Sequence, residues 1–516
     1  MCRARRVATI LAAGDLLLLT ALYGLFVFTD RVPVAGWLAL GLLAILRWWA
    51  TGRFTLMTPL TLPILIILLM LPVTLYASVD WTLSLPKVYG LVLSVAAFYI
   101  VVNRLHTVQD AWGAVFALVL SGLAVVALGV AGADWLTSKL FALPQVYEQL
   151  PRLIRGIPRS IRGGFSANGV GGTLIFFIPL LVSLLGVRQE SESGDSVGAG
   201  WGLRLWWRWH RPLVLLALAL ALATLVLTQS RGSFVGLAVG LLALAVWRER
   251  RLLWLLPLVA LALAAVILTG RAESLMEFLF RVDSLAGNAS VSMQGRFEVW
   301  QRALYMIQDF PFTGIGIGTF DRVVHVLYPL FLIGPDAQVA HAHNELLQVA
   351  VDMGLPTLVA YIALLSACFI AAWRTYRLLP PSGLRAATMG LACGMLAHQV
   401  FGITDAFLLG TKPGVVMWVF LAVVAGLYRQ LYTSAPPHLR TSAPQPLCSE
   451  GLASWLRHLL AFGYWILFSL LSIAFIGNRP YIGLAIGLAG GVALGFLSLA
   501  SYEPRRRRER VVEEPA

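Results

Sequence analysis

The chain has 516 residues, 59% of them hydrophobic and only 12% charged, about half the charged share of an average soluble domain. A surface so poor in charge is not built for water, and the bilayer is its natural solvent. The formal net charge of +14 does not point to nucleic acid, because most arginines stand in short loops between apolar runs rather than on one soluble face.

Apolar runs able to cross a hydrocarbon core of about 30 Å recur along almost the whole sequence. In chain order the expected spans are 7–29, 33–46, 58–78, 83–102, 110–131, 166–187, 212–228, 231–247, 252–269, 356–373, 386–405, 413–430, 458–476 and 480–501, about fourteen in all. The first follows MCRARR. Its apolar stretch is too long for a signal peptide and no small-residue cleavage site follows, so it reads as a membrane helix. With Arg3, Arg5 and Arg6 placed in the cytoplasm, every second loop is cytoplasmic. Those loops hold Arg47, Arg53, Arg104, Arg188, Arg204, Arg208, Arg211, Arg248, Arg250, Arg251, Arg374, Arg377 and Arg385, as the positive-inside rule requires. The basic tail 502–516, with Arg505 to Arg508, falls on the same side, so both termini are expected to be cytoplasmic.

Two segments depart from this pattern, and both fall on the outer side. Residues 132–165 carry Lys139, Arg152, Arg155, Arg159 and Arg162, and residues 270–345 form the longest stretch between spans. The stretch 432–456 is rich in Pro and Ser and reads as a flexible linker. Residues 1–431 are therefore the expected working unit, and 457–501 a further helix pair. No stretch is long enough for a soluble nucleotide-binding core and no GxxxxGK[ST] loop occurs, so no nucleotide is expected. Cys2, Cys368, Cys393 and Cys448 show no CxxC spacing, so neither a zinc site nor a disulfide framework is expected.

In the long outer segment, Phe297, Trp300, Leu304 and Ile307 recur at helical spacing and predict one apolar helix face, ended by Pro311. Gly314, Gly316 and Gly318 follow no strand, which favours a tight loop over a dinucleotide fingerprint. Asn344 is placed to cap a helix that Gly354 ends, with Pro356 opening the next span. His343 then stands about three turns beyond that glycine, at the water boundary. Imidazole ordinarily titrates near pH 6.5, so a histidine there can accept a proton from a hydroxyl. The plainer alternative is that His341 and His343 only hydrogen-bond a loop. A metal held with Asp336 and Glu345 lacks any supporting spacing, and no metal or other cofactor is expected.

Arg231 interrupts two apolar runs in a tight Ser-Arg-Gly turn. A guanidinium near lipid costs on the order of 2.5 kcal/mol or more at mid-bilayer, so it faces a partner, of which phosphate is the obvious external one, or it snorkels to headgroups. Arg152, Arg155, Arg159 and Arg162 would form a basic stripe if helical, but Gly156 and Pro158 oppose a regular helix. They meet either lipid phosphates or a specific pyrophosphate. His398 and Asp405 lie in or beside the membrane near the outer end of a span, where ionisable groups are functional candidates. Asp15 and Lys87 receive no role.

Taken together, SRG at a span start, R-x3-W and P-x2-G-x-G in a long outer loop, and then HN-x9-G-x2-T resemble the O-antigen ligase and Wzy polymerase family. The likeness covers residues 160–430. It implies an all-α polytopic bundle of about fourteen spans, GT-C-like, with a partly helical periplasmic loop over 270–355, in the inner membrane of a bacterium. It implies His343 as the catalytic base, with Arg231 and Arg296 holding the pyrophosphate of an undecaprenyl-diphosphate-linked glycan donor. Asn344, His341, Arg155, Arg159, Arg162 and Asp405 join the expected substrate-binding set. The acceptor is a glycan or lipid, and the expected reaction inverts the anomeric carbon without metal. GGFSANG, with Asn168, also resembles the family but receives no catalytic role. The chain departs from the family in carrying two helices beyond the usual twelve and a second histidine, His341. Ligase is the first expectation. A Wzy-type polymerase and a protein-directed oligosaccharyltransferase fit the same motifs, and a lipid-linked sugar flippase or other transporter is the competing class, with a membrane scaffold the blandest reading.

Overall fold

A computed structural model describes residues 14–135, 165–187, 201–254, 293–334, 338–380, 382–406, 409–434 and 449–502, with a few isolated positions besides. Lys139, Arg152, Arg155, Arg159, Arg162 and Asp336 lie outside the described residues, as does most of the expected span 252–269.

The described chain is helical almost throughout. Its helices are α1 (Asp15–Thr29), α2 (Val34–Thr51), α3 (Thr61–Tyr76), α4 (Trp81–Val102), α5 (Val108–Gly132), α6 (Ala167–Leu185), α7 (Trp201–Thr228) and α8 (Arg231–Arg248). They continue with α9 (Met293–Asp309), α10 (Phe320–Leu327), α11 (Glu345–Leu378), α12 (Gly383–Phe401), α13 (Gly414–Ser434), α14 (Ser449–Ile476) and α15 (Pro480–Tyr502). Two-residue strands β1 (Ala133–Asp134) and β2 (Phe165–Ser166) pair in parallel at the junction of α5 and α6. Among the described residues ten helices are long and apolar enough to cross a membrane; α1 and α3 are apolar but shorter, and α12 is less apolar. The fold is therefore a polytopic helical membrane bundle, because only a helix satisfies every backbone group inside lipid.

Lipid supplies no hydrophobic drive between helices, so close contact through small residues holds the bundle. A Cβ on Gly394 of α12 would lie 2.1 Å from the Phe176 carbonyl oxygen of α6, and one on Gly236 of α8 2.4 Å from the Ala397 carbonyl. The last two helices use the same device. Gly491 and Gly495 of α15 press on Val359, Ile362, Ala363 and Ser366 of α11. The α14 side adds a buried bond from Trp465 Nε1 to the Pro356 carbonyl, 2.9 Å long. Residues 449–502 thus lie along the helix that follows His343.

Contacts between helix ends fall into two groups. At one end the Asp15 carboxylate meets Arg47 of α2 and, at 2.6 Å, Arg104 just beyond α4. At the other end gather the start of α8, the start of α11, the turn after α12, and α9 and α10.

Candidate active site

His343 precedes α11 in a tight bend. Asn344 caps the helix, its side chain accepting from the Leu347 N–H at 3.0 Å and donating to the Ile403 carbonyl at 3.1 Å. The Glu345 N–H donates to the Gly402 carbonyl at 2.7 Å. These bonds fasten the start of α11 to the turn after α12, which is why Asp405 meets His343 despite its distance in sequence. As the spacing predicts, the helix breaks at Gly354, whose backbone is non-helical (φ 78°, ψ 170°). No side chain is tolerated there without a shift, since a Cβ would lie 2.1 Å from the Phe312 carbonyl oxygen.

His343 itself has φ 49°, a left-handed conformation uncommon for a residue with a side chain. Two contacts hold it. Its N–H donates to His341 Nδ1 at 3.2 Å, and its carbonyl accepts from Trp300 Nε1 at 3.4 Å. One turn ahead, Ala342 N–H donates to Gln348 Oε1 at 2.6 Å. Upstream, Val339 N–H donates to Asp321 of α10 at 2.7 Å.

Asp405 lies at the centre. Its Oδ1 is 3.5 Å from His341 Nε2 and 3.7 Å from His343 Nδ1, and the two rings meet edge to face with centroids 4.4 Å apart. Burial pushes the Asp405 carboxyl up, but the His343 hydrogen, the neighbouring imidazoles and the Arg296 guanidinium together hold it below the usual carboxylate range. Burial, with His343 beside it, lowers His341 to about 3, so that ring is neutral at physiological pH. Arg296, in the first turn of α9, has its pKa lowered by burial and restored in part by Asp405. It stays charged, as arginine does in proteins. Its buried Nε–H finds no acceptor among the described residues.

Arg231 opens α8. Its turn contains Gln229 at φ 48° and packs against the turn beside Asp405, for a Cβ on Gly232 would lie 2.9 Å from the Thr404 hydroxyl. Ser233 donates to the Ser230 hydroxyl at 2.9 Å and braces the turn. The structure therefore brings together His341, His343, Asn344, Arg296 and Asp405, with the Arg231 turn adjoining them. His398 instead packs inside the bundle, its Nδ1 bonded to the Gly172 carbonyl at 2.8 Å and its ring stacked on Phe176.

The donor atoms of His341, His343 and Asp405 all lie within 4.8 Å of one another, close enough for a metal ion. The tautomer opposes that use. His341 Nδ1 accepts a backbone N–H, so its own proton sits on Nε2 and faces the carboxylate as a donor. That proton would have to leave Nε2, and the bond to the His343 N–H be given up, for His341 to bind a metal through Nε2.

Two features differ from the sequence expectation. The buried face of α9 is Glu298, Val299, Ala303, Met306 and Ile307, while Phe297 is 52% exposed. Polarity misled the reading, since Glu298 turns inward to accept from the Phe331 and Leu332 N–H groups at 2.6 and 3.0 Å. Beside His341 there is also a polar pocket lined by Lys87, Glu345, Gln348 and Asp352. A lysine inside an apolar run was its only signal.

Fold and site together define a polytopic helical membrane protein with a partly buried centre of histidines and arginine around a buried Asp405 at one end of its bundle. Residues 216–362 match the family profile described as O-antigen ligase, so over that segment the chain is similar to the O-antigen ligase family. The match runs from α7 into α11 and takes in Arg231, Arg296, His341 and His343; Asp405 lies beyond it. No curated protein matches the chain.

Proposed function

We propose that this protein transfers a glycan from an undecaprenyl-diphosphate carrier to an acceptor hydroxyl at the outer face of a bacterial inner membrane, as an O-antigen ligase. The observation that carries the reading is the convergence of two histidines and a buried arginine on Asp405, with the Arg231 turn packed alongside. Arginines at the helix ends opposite the site, among them Arg47, Arg104, Arg248 and Arg377, support placing the site outside.

In the reaction the acceptor oxygen attacks the anomeric carbon as the bond to the diphosphate breaks, inverting that carbon. The hydroxyl proton passes to His343, and the electron pair leaves with the lipid diphosphate. His343 Nδ1 lies 3.7 Å from Asp405 Oδ1 and has no hydrogen-bond partner among the described residues, so in the reaction Asp405 is the acceptor proposed for Nδ1–H and Nε2 the basic nitrogen. The 3.7 Å separation shortens when substrate closes the site, as catalytic hydrogen bonds commonly do. A general base of this kind contributes about 10² to 10⁴ in rate.

Arg296 and Arg231 hold the diphosphate and stabilise the charge that grows on it. Arg231 carries a positive charge at a helix N-terminus, against the helix dipole. An anion bound there answers both the guanidinium and the positive end of the helix dipole. The flippase alternative asks for charged groups along the mid-membrane helices, whereas those paired or gathered here lie toward the two ends of the bundle.

The test is surface-glycan chain length and attachment in cells expressing His343→Ala, Arg231→Ala or Arg296→Ala at matched protein levels. Loss of attached glycan in all three is expected. A wild-type profile from all three sinks the transferase reading, and loss of chain length with attachment intact replaces ligase by polymerase.

A further inference from the structure

The family motif asks for one histidine before the capped helix, and this chain carries a second two residues earlier. We propose that His341 is a positioning residue, one edge of its ring holding the His343 backbone in its left-handed bend while the other holds Asp405 where it fixes the His343 tautomer. The inference rests on the transferase reading of the same site.

The argument starts from the two ring nitrogens. His341 Nδ1 accepts the His343 N–H at 3.2 Å, so the ring proton of the neutral imidazole is on Nε2. That Nε2–H faces Asp405 Oδ1 at 3.5 Å. Because burial keeps His341 neutral well below physiological pH, the arrangement does not reverse under ordinary conditions.

Asp405 has three neighbours competing for it: His341, His343 and the Arg296 guanidinium. Without His341 the carboxylate is drawn toward the full charge of Arg296. His343 Nδ1, which lies 3.7 Å from Asp405 and has no other acceptor among the described residues, then loses the carboxylate that faces it, and the proton is free to occupy Nε2, the atom that must be empty to act as a base. The same deletion removes the acceptor of the His343 N–H, leaving Trp300 alone to hold a backbone conformation that disfavours a side chain.

The two edges can be tested apart. In His341→Gln the side-chain Nε2 takes the position of the imidazole Nε2 and keeps the donor toward Asp405. In His341→Asn the Oδ1 takes the place of Nδ1 and keeps the acceptor for the His343 N–H, but the chain is too short to reach Asp405. Transfer is measured with purified, liposome-reconstituted protein and a lipid-diphosphate glycan. Nitrogen NMR of ¹⁵N-histidine-labelled protein reads the His343 tautomer without any turnover, with His343→Gln assigning its signals.

The expected result is a fall in kcat of about 10²-fold in His341→Asn, with KM for the donor unchanged and the Nδ1–H tautomer of His343 no longer dominant. His341→Gln retains that tautomer and stays within about fivefold of wild type. Wild-type kcat or an unchanged His343 tautomer in His341→Asn overturns the inference. So does an equal loss in both variants that follows a fall in unfolding temperature, which marks a purely structural role. If His343→Ala itself transfers at the wild-type rate, the transferase reading fails first, and the tautomer spectra still decide whether His341 fixes the ring.

Discussion

Gly354→Ala is the sharpest structural perturbation available, because it adds one methyl group about three turns from the reacting atoms. The backbone at φ 78°, ψ 170° lies in a region that is essentially glycine's alone, and strain there costs of order 1–3 kcal/mol. The new Cβ would also lie 2.1 Å from the Phe312 carbonyl oxygen, so the chain must move by about 1 Å to restore van der Waals distance. That movement strains two 2.8 Å bonds, Leu355 N–H to the Pro311 carbonyl and Ile315 N–H to the Val351 carbonyl, each contributing about 1 kcal/mol. The expected loss of stability is therefore about 3–5 kcal/mol.

The effect on rate is larger than the distance suggests. Eleven residues at 1.5 Å per residue make a lever of about 16 Å, and a tilt of about 5° at the break carries His343 by more than about 1 Å, enough to cost on the order of 10²-fold. Chemical unfolding of the detergent-purified variant, paired with its transfer rate, checks both numbers. A variant within 1 kcal/mol of wild-type stability and within threefold of its rate refutes the argument that this glycine sets the angle of the His343 helix.

Three further outcomes follow from the same geometry. Asp405→Asn keeps the shape but replaces an acceptor with an amide, and transfer should fall about 10²- to 10³-fold with donor KM unchanged, read by steady-state kinetics. Acid should weaken the fold through His341. Its pKa is near 3 in the folded chain and about 6.5 unfolded, so the unfolded chain takes the proton first and stability is lost as pH falls below about 6.5. Between pH 6.5 and 5 wild type should lose about 1.6 kcal/mol more than His341→Gln in the same unfolding assay. Trp465→Phe removes the buried bond from α14 to Pro356 and should cost about 1 kcal/mol, measured the same way.

Much of this molecule is legible in its sequence because lipid imposes long apolar runs and alternating arginines. Asn344, Gly354 and Pro356 could be read as a cap, a stop and a restart because each acts within its own turn of chain. Asp405 had only a position near a span end to recommend it. What makes it central is the fastening of α11 to the turn after α12 through Asn344 and Glu345, a tertiary bond no local pattern announces. The face of α9 was misread for the related reason that Glu298 is satisfied by a loop over thirty residues away. Lys87 lies on α4, remote in sequence from the His341 pocket it lines, and the contacts of α15 with α11 run through glycines, which carry no hydrophobic signature.

The central claim is that His343 takes the acceptor's proton while Arg296 and Arg231 hold the donor. Its most direct test is a single-turnover measurement in proteoliposomes with a defined lipid-diphosphate glycan, comparing wild type with His343→Ala and Arg296→Ala while donor binding is titrated separately. The account predicts that His343→Ala binds the donor normally and transfers at least about 10²-fold more slowly, whereas Arg296→Ala loses donor affinity. Transfer by His343→Ala at the wild-type rate, or unchanged donor affinity in Arg296→Ala, contradicts it.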